Sequence, residues 1–221
     1  TVQYLKNQPR DGWVMMALAA GNADGLDASA ITVTGLSAPT DIERAILGVT
    51  AAKGNPYAIN SVNLVSQLDG TRQQNQIGDI NLVNDDIFGI LAYLAAGLGG
   101  ADSRIAESRS FIISKQNSDG GFPFAARQPS DTNITAMAVN ALVRSGLGAS
   151  DSANQKALGY LRTAQNTDGG FGYAPNTESD TASTSWVINA LRAASIDPST
   201  WTKNNNTPYS FLSFAALSDG S

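Results

Sequence analysis

The chain contains neither cysteine nor histidine, and that pair of absences removes whole classes of chemistry. Thiolate nucleophiles, disulfides, Cys/His zinc sites and any Ser-His-Asp triad are all excluded. Charge is scarce as well: 15% of the 221 residues are charged, against roughly 25% in an ordinary soluble domain. What charge there is runs negative, with a formal net charge of -5 and a pI near 4.6. The basic footprint that would neutralise nucleic-acid phosphates is therefore missing, and nucleic acid and anionic membrane surfaces are not expected partners. No apolar run approaches the roughly 20 residues of a membrane span, so membrane insertion is not expected. Nothing at Thr1 reads as a signal peptide, and the chain reads as a mature or trimmed segment of a longer one. A cysteine-free chain of this kind is expected to be bacterial and extracellular or attached to the cell surface, folding without disulfides.

What is present is a repeat. The stretch Gln116-Asn117-Ser118-Asp119-Gly120-Gly121-Phe122, followed by Asp131-Thr132, recurs as Gln165-Asn166-Thr167-Asp168-Gly169-Gly170-Phe171, followed by Asp180-Thr181, 49 residues further on. A degenerate copy begins at Asp69-Gly70, and a further one ends the chain at Asp219-Gly220. A fixed period of this length marks units that bury their apolar faces only by stacking on their neighbours.

Each clear unit is an αα-hairpin. Ile134, Met137, Ala138, Ala141 and Leu142 form one 3.6-residue stripe, and Val187, Ala190, Leu191 and Ala194 form another. Each stripe is preceded by a second helix, over 101–115 and 152–164. Inner-type helices are expected to start near Asp11, Asp41, Asp85, Asp131 and Asp180. A further helix is expected from about Tyr57 to Leu68, the polar stretch from Thr71 to Leu82 reads as a long exposed loop, and residues 22–39 read mostly as loop. No alternating strand pattern persists. The expected fold is all-α: one domain over residues 1–221, with about ten helices in five to six hairpins and the last repeat incomplete.

The Gly-Gly pairs suit a sharp turn with positive φ, and the Asp-Thr pairs suit helix capping at roughly 1 kcal/mol each. If the capped helices form an inner ring, their N-termini converge on one rim with N–H groups, dipoles and short polar side chains. The candidate ligand-binding residues on that rim are Asn84, Asp85, Asp131, Thr132, Thr135, Asp180, Thr181 and Thr184. No residue is singled out as catalytic or metal-binding.

The same motifs, with Lys156-Ala157 and Tyr160-Leu161 ahead of the second copy, resemble the repeat shared by terpenoid cyclases and protein prenyltransferases. The resemblance implies an α/α toroid of two concentric helical rings. The catalytic parts of those enzymes are missing. The D-x-D-D acid of the cyclases is here Val83-Asn84-Asp85-Asp86, and the Asp-Cys-His zinc set lacks two of its three residue types. Within this fold the chain is more similar to the α-domain of cobalamin carriers of the intrinsic factor and transcobalamin type, on Thr40-Asp41-Ile42-Glu43-Arg44-Ala45 and Asp131 to Ala138. That resemblance implies a corrinoid at the rim touching Asp131, Thr132, Thr135 and Asp180, with an adjacent β-domain closing over it. No histidine is present to ligate cobalt.

The functional expectation is a non-catalytic module binding a small molecule or an adjacent β-domain. The alternatives are a glycoside hydrolase or lyase using Asp131 and Asp180, a cyclase-like or prenyltransferase-like enzyme, and a structural scaffold. Against a carboxylate pair stands the similarity of the two sequence settings, since an acid and a base need unlike surroundings.

Overall fold

Ten α-helices carry the chain in the computed structural model, which describes residues 2–216. They are α1 (Val2–Lys6), α2 (Gly12–Ala20), α3 (Pro39–Ala51), α4 (Leu64–Asp69), α5 (Val83–Ala95), α6 (Ser103–Ser114), α7 (Thr132–Arg144), α8 (Ser152–Ala164), α9 (Thr181–Ala193) and α10 (Pro208–Ala215). The terminal Asp219-Gly220 repeat expected from the sequence lies outside the described residues.

Helices α2, α3, α5, α7 and α9 form the inner arc, each packed on the next in that order. Helices α4, α6, α8 and α10 lie behind α3, α5, α7 and α9 as the outer layer. Between α2 and α3 a single 3₁₀ turn, Ala28–Ala30, replaces the outer helix, and Ile31 and Val33 beside it are buried. The α/α toroid expected from the repeat is the observed architecture. The ends of the arc, α2 and α9, meet through the rings of Trp13 and Trp186 at 6.1 Å rather than along their lengths.

The inner helices form where the sequence supplies both a start and a stripe. In α7 the Asp131 carboxylate accepts the Ile134 N–H at 2.8 Å; in α9 Asp180 accepts that of Ser183 at 2.7 Å. Behind these caps Ile134, Ala138, Ala141 and Leu142, and in α9 Val187, Ala190 and Leu191, face the outer layer and are almost fully buried. Each large aliphatic side chain so buried contributes about 1.5–3 kcal/mol.

Helices α3 and α5 begin near Asp41 and Asp85 as expected, behind Ala38 with a proline in the first turn and behind Leu82, and neither Asp is the cap; the expectations for 57–68 and 71–82 are corrected. Asp41 pairs instead with Arg44 at 2.7 Å, while the Val83 N–H at the start of α5 donates to the Phe124 carbonyl at 3.0 Å. The helix expected from Tyr57 is confined to 64–69, because Asn60 and Ser61 take left-handed φ of 47° and 65° and interrupt it. The supposed loop 71–82 contains a small hairpin, Arg72–Gln73 paired with Gln76–Ile77. Its Ile77 is buried, and its Arg72 is ion-paired with Glu107 of α6. A second two-residue pairing joins Phe122–Pro123 to Ser130–Asp131.

The Asp-Gly-Gly-Phe loop does what its spacing suggests and more. Gly120 and Gly169 both sit at φ 86°, in the region that disfavours any Cβ. Asp119 accepts the Gly121 N–H at 2.9 Å and the Ser130 hydroxyl at 2.8 Å; Asp168 repeats the pattern with Gly170 and Ser179 at 2.9 Å each. Phe122 and Phe171 are fully buried.

Candidate functional site

The rim residues singled out by the sequence are mostly turned inward. Asp131, Thr132, Thr135, Thr184 and Asp85 are buried; Asn84 and Asp180 are half-buried, and Thr181 alone is exposed. Thr135 and Thr184 spend their hydroxyls on the backbone N–H groups of Phe122 and Phe171, at 2.8 and 2.9 Å. The loop after the next Gly-Gly covers the start of α7, where the Thr132 N–H donates to the Tyr173 carbonyl at 2.8 Å. Burial pushes the Asp131 carboxyl up to about 6, against the opposing pull of the Ile134 and Asn133 N–H groups and the Tyr173 hydroxyl. Asp131 and Asp180 serve as caps and Thr135 and Thr184 as cross-links, while the buried Thr132 hydroxyl has no partner among the described residues.

A second acidic group lies between α3, α5 and the 72–77 hairpin. Glu43 and Asp86 are fully buried and Asp85 nearly so. Neither Glu43 oxygen has a hydrogen-bond partner among the described residues. Asp86 accepts the Ile77 N–H at 3.3 Å and Asp85 that of Asp79 at 3.3 Å. Burial dominates all three titrations. It holds Glu43 well above the usual carboxylate range, with Asp85 and Asp86 adding to the effect, raises Asp85, and pushes Asp86 up to about 7 despite the nearby Ser108, Ile77 and Arg72. Burial favours the neutral form of a carboxyl because ionisation away from water lacks compensating solvation. Among the described residues no group of three or more acidic side chains is arranged to hold a metal ion.

The concavity of the fold lies elsewhere, on the axis of the arc. An open cavity of about 810 Å³ is walled by all five inner helices, within the range of small-molecule sites. Three rings, Trp13 of α2, Phe88 of α5 and Trp186 of α9, stand 5.8–6.1 Å apart and nearly perpendicular, the edge-to-face arrangement aromatic quadrupoles favour. Met16, Leu47 and Leu91 extend the apolar wall, and Asn140, Asn189 and Arg144 add its polar groups. Among the described residues no acidic side chain lines it.

The cavity follows the repeat. Phe88, Met137 and Trp186 are spaced 49 residues apart, as are Leu91, Asn140 and Asn189, and Ala95, Arg144 and Ala193. On α2 and α9 the lining residues 13, 16, 17, 20 and 182, 185, 186, 189 form a stripe separate from the one facing the outer layer. Reading only the outer-facing stripe misses this site. Its signal was present in α2, whose Trp13, Met16 and Ala17 are apolar on the face an ordinary amphipathic helix gives to water.

Arg144, the last residue of α7, stands at the cavity wall about 20 Å along the helix from Asp131. The predicted rim and the cavity's one charged group are thus at opposite ends of the same helix. No helix among the described residues is long and apolar enough to cross a membrane.

Comparison with known families adds one finding. The family described as the prenyltransferase alpha-alpha toroid domain matches residues 58–216, which takes in α4 to α10 and most of the inner arc. No individual characterised protein matches the chain. The chain belongs to the prenyltransferase alpha-alpha toroid domain family.

Proposed function

We propose that this domain is a non-catalytic binding module that takes a small, largely apolar molecule into the cavity on the axis of its inner helices. The observation that carries the reading is the cavity itself, about 810 Å³ with Trp13, Phe88 and Trp186 turned toward it. Burying a ligand against three aromatic rings gains the transfer free energy of its apolar area, about 25 cal/mol per Å² before the costs of association. Binding without turnover is favoured by the chemistry of the wall. Among the described residues it holds no carboxylate, the chain has no histidine or cysteine, and the one hydroxyl on the wall, that of Ser185, donates to the Thr181 carbonyl with no base beside it to activate it. The buried Glu43, Asp85 and Asp86 line no part of it.

Placement outside the cell or on its surface belongs to the same proposal and is supported by the cysteine-free composition, and an adjacent β-domain is supported by the resemblance to cobalamin carriers. The reading is tested with 1-anilinonaphthalene-8-sulfonate, an aromatic probe that fluoresces in apolar surroundings. One saturable site per chain is expected, with energy transfer from Trp13 and Trp186. Ala17→Trp, which fills the cavity, should abolish the signal; Asp131→Asn should leave it. Equal binding by the filled variant would remove the cavity as the site.

A further inference from the structure

The repeat separates what folding needs from what it does not. At the last-turn position of the inner helices α5 carries Ala95 and α9 carries Ala193, yet α7 carries Arg144. The fold is satisfied by alanine there in two repeats, so the arginine is not a packing requirement. Among the described residues it is also the only charged side chain on the cavity wall. Arg144 is exposed at the cavity mouth, and its Nε donates to the Asn140 side-chain oxygen at 2.6 Å, which orients the guanidinium. Its two terminal nitrogens have no hydrogen-bond or ion-pair partner among the described residues.

Resting on the cavity reading, we infer that the ligand is a monoanionic amphiphile, an apolar body ending in a carboxylate, seated with its body against Trp13, Phe88 and Trp186 and its carboxylate on Arg144. An oriented guanidinium with both terminal nitrogens available matches a carboxylate through two parallel hydrogen bonds. A cationic head is disfavoured, because the wall offers it no anion and Arg144 repels it. A diphosphate is disfavoured too. One guanidinium, with no second cation on the wall and no acidic group there to recruit a metal ion, leaves most of that head's charge unneutralised. The carboxylate is the head whose charge the wall matches one to one.

The test uses the complete 221-residue chain and the emission of Trp13 and Trp186, with Trp201, buried against Phe171 at 6.3 Å, as a constant background. Dodecanoate, 1-dodecanol, dodecyltrimethylammonium and geranyl diphosphate are titrated below their micelle concentrations or, for the alcohol, below its solubility limit. Dodecanoate is expected to saturate one site and to bind at least tenfold more tightly than the alcohol, with the ammonium weaker still. Arg144→Ala should bring dodecanoate to the level of the alcohol while leaving dodecanol binding and the thermal melt unchanged. Equal affinity of acid and alcohol in the unaltered chain, a preference that survives Arg144→Ala, or tighter binding of geranyl diphosphate would overturn the head-group assignment and leave the cavity reading standing. Binding of none of the four ligands would overturn both.

Discussion

The hydroxyl of Thr135 accepts the backbone N–H of Phe122 at 2.8 Å, tying the first turn of an inner helix to the Gly-Gly loop thirteen residues before it. Thr184 holds Phe171 in the same way at 2.9 Å. Both ends of each bond are buried, so removing the hydroxyl strands an N–H away from water. Thr135→Val is expected to cost about 1–3 kcal/mol in urea unfolding, and Thr135→Ser to recover most of it. Equal losses for Val and Ser would place the cost in packing instead.

The turn next to that bond is the stiffest requirement in the repeat. A Cβ on Gly120 would come within 2.6 Å of the Lys156 carbonyl oxygen, on top of the strain of φ 86°. Gly120→Val is expected to destabilise by about 3 kcal/mol or more, from backbone strain and overpacking together. Asp131→Ala loses one cap, about 1 kcal/mol. Thermal melts in the reverse order would contradict the assigned loop geometry.

Stability should fall as pH rises. Asp86 titrates near 7 in the folded chain against a reference value of 3.8, and Glu43, Asp85 and Asp131 are also raised. For an acid with a raised folded pKa, the unfolded chain ionises first. The penalty is absent below about pH 4, grows between there and pH 7, and is complete above the folded pKa. For Asp86 alone it is on the order of 4 kcal/mol. The urea midpoint is expected to be lower at pH 8 than at pH 5, and Asp86→Asn should flatten that slope. A slope unchanged in Asp86→Asn would mean that the group is ionised in the folded protein.

The join between α2 and α9 rests on side chains. Trp13 and Trp186 meet edge to face at 6.1 Å, and a double-mutant cycle between them with alanine is expected to give a coupling of about 0.5–1.5 kcal/mol. A coupling of zero would show that the ends of the arc do not depend on this pair.

The ring was readable in the sequence and the axial cavity was not, for a physical reason. Asp119, Gly120, Phe122 and Asp131 answer local requirements of turns and caps, which recur wherever the fold recurs. The 49-residue period therefore exposed them at once. The same recurrence drew the functional expectation to Asp131, Thr135 and Thr184, whose side chains the fold consumes. Trp13, Phe88 and Trp186 come from three helices far apart in the chain, and only their convergence on one axis makes them a site. Arg144 was legible only as a departure from its counterparts Ala95 and Ala193. The hairpin over Glu43 and Asp86 escaped notice because its strands are two residues long, too short for a period to register.

The most direct test of the account is a crystal structure of the chain grown with dodecanoate. The account predicts an aliphatic chain lying in the cavity against Trp13, Phe88 and Trp186 with its carboxylate on Arg144. Dodecanoate bound instead at the Asp131 and Asp180 end of the inner helices, with the axial cavity holding only water, would contradict it.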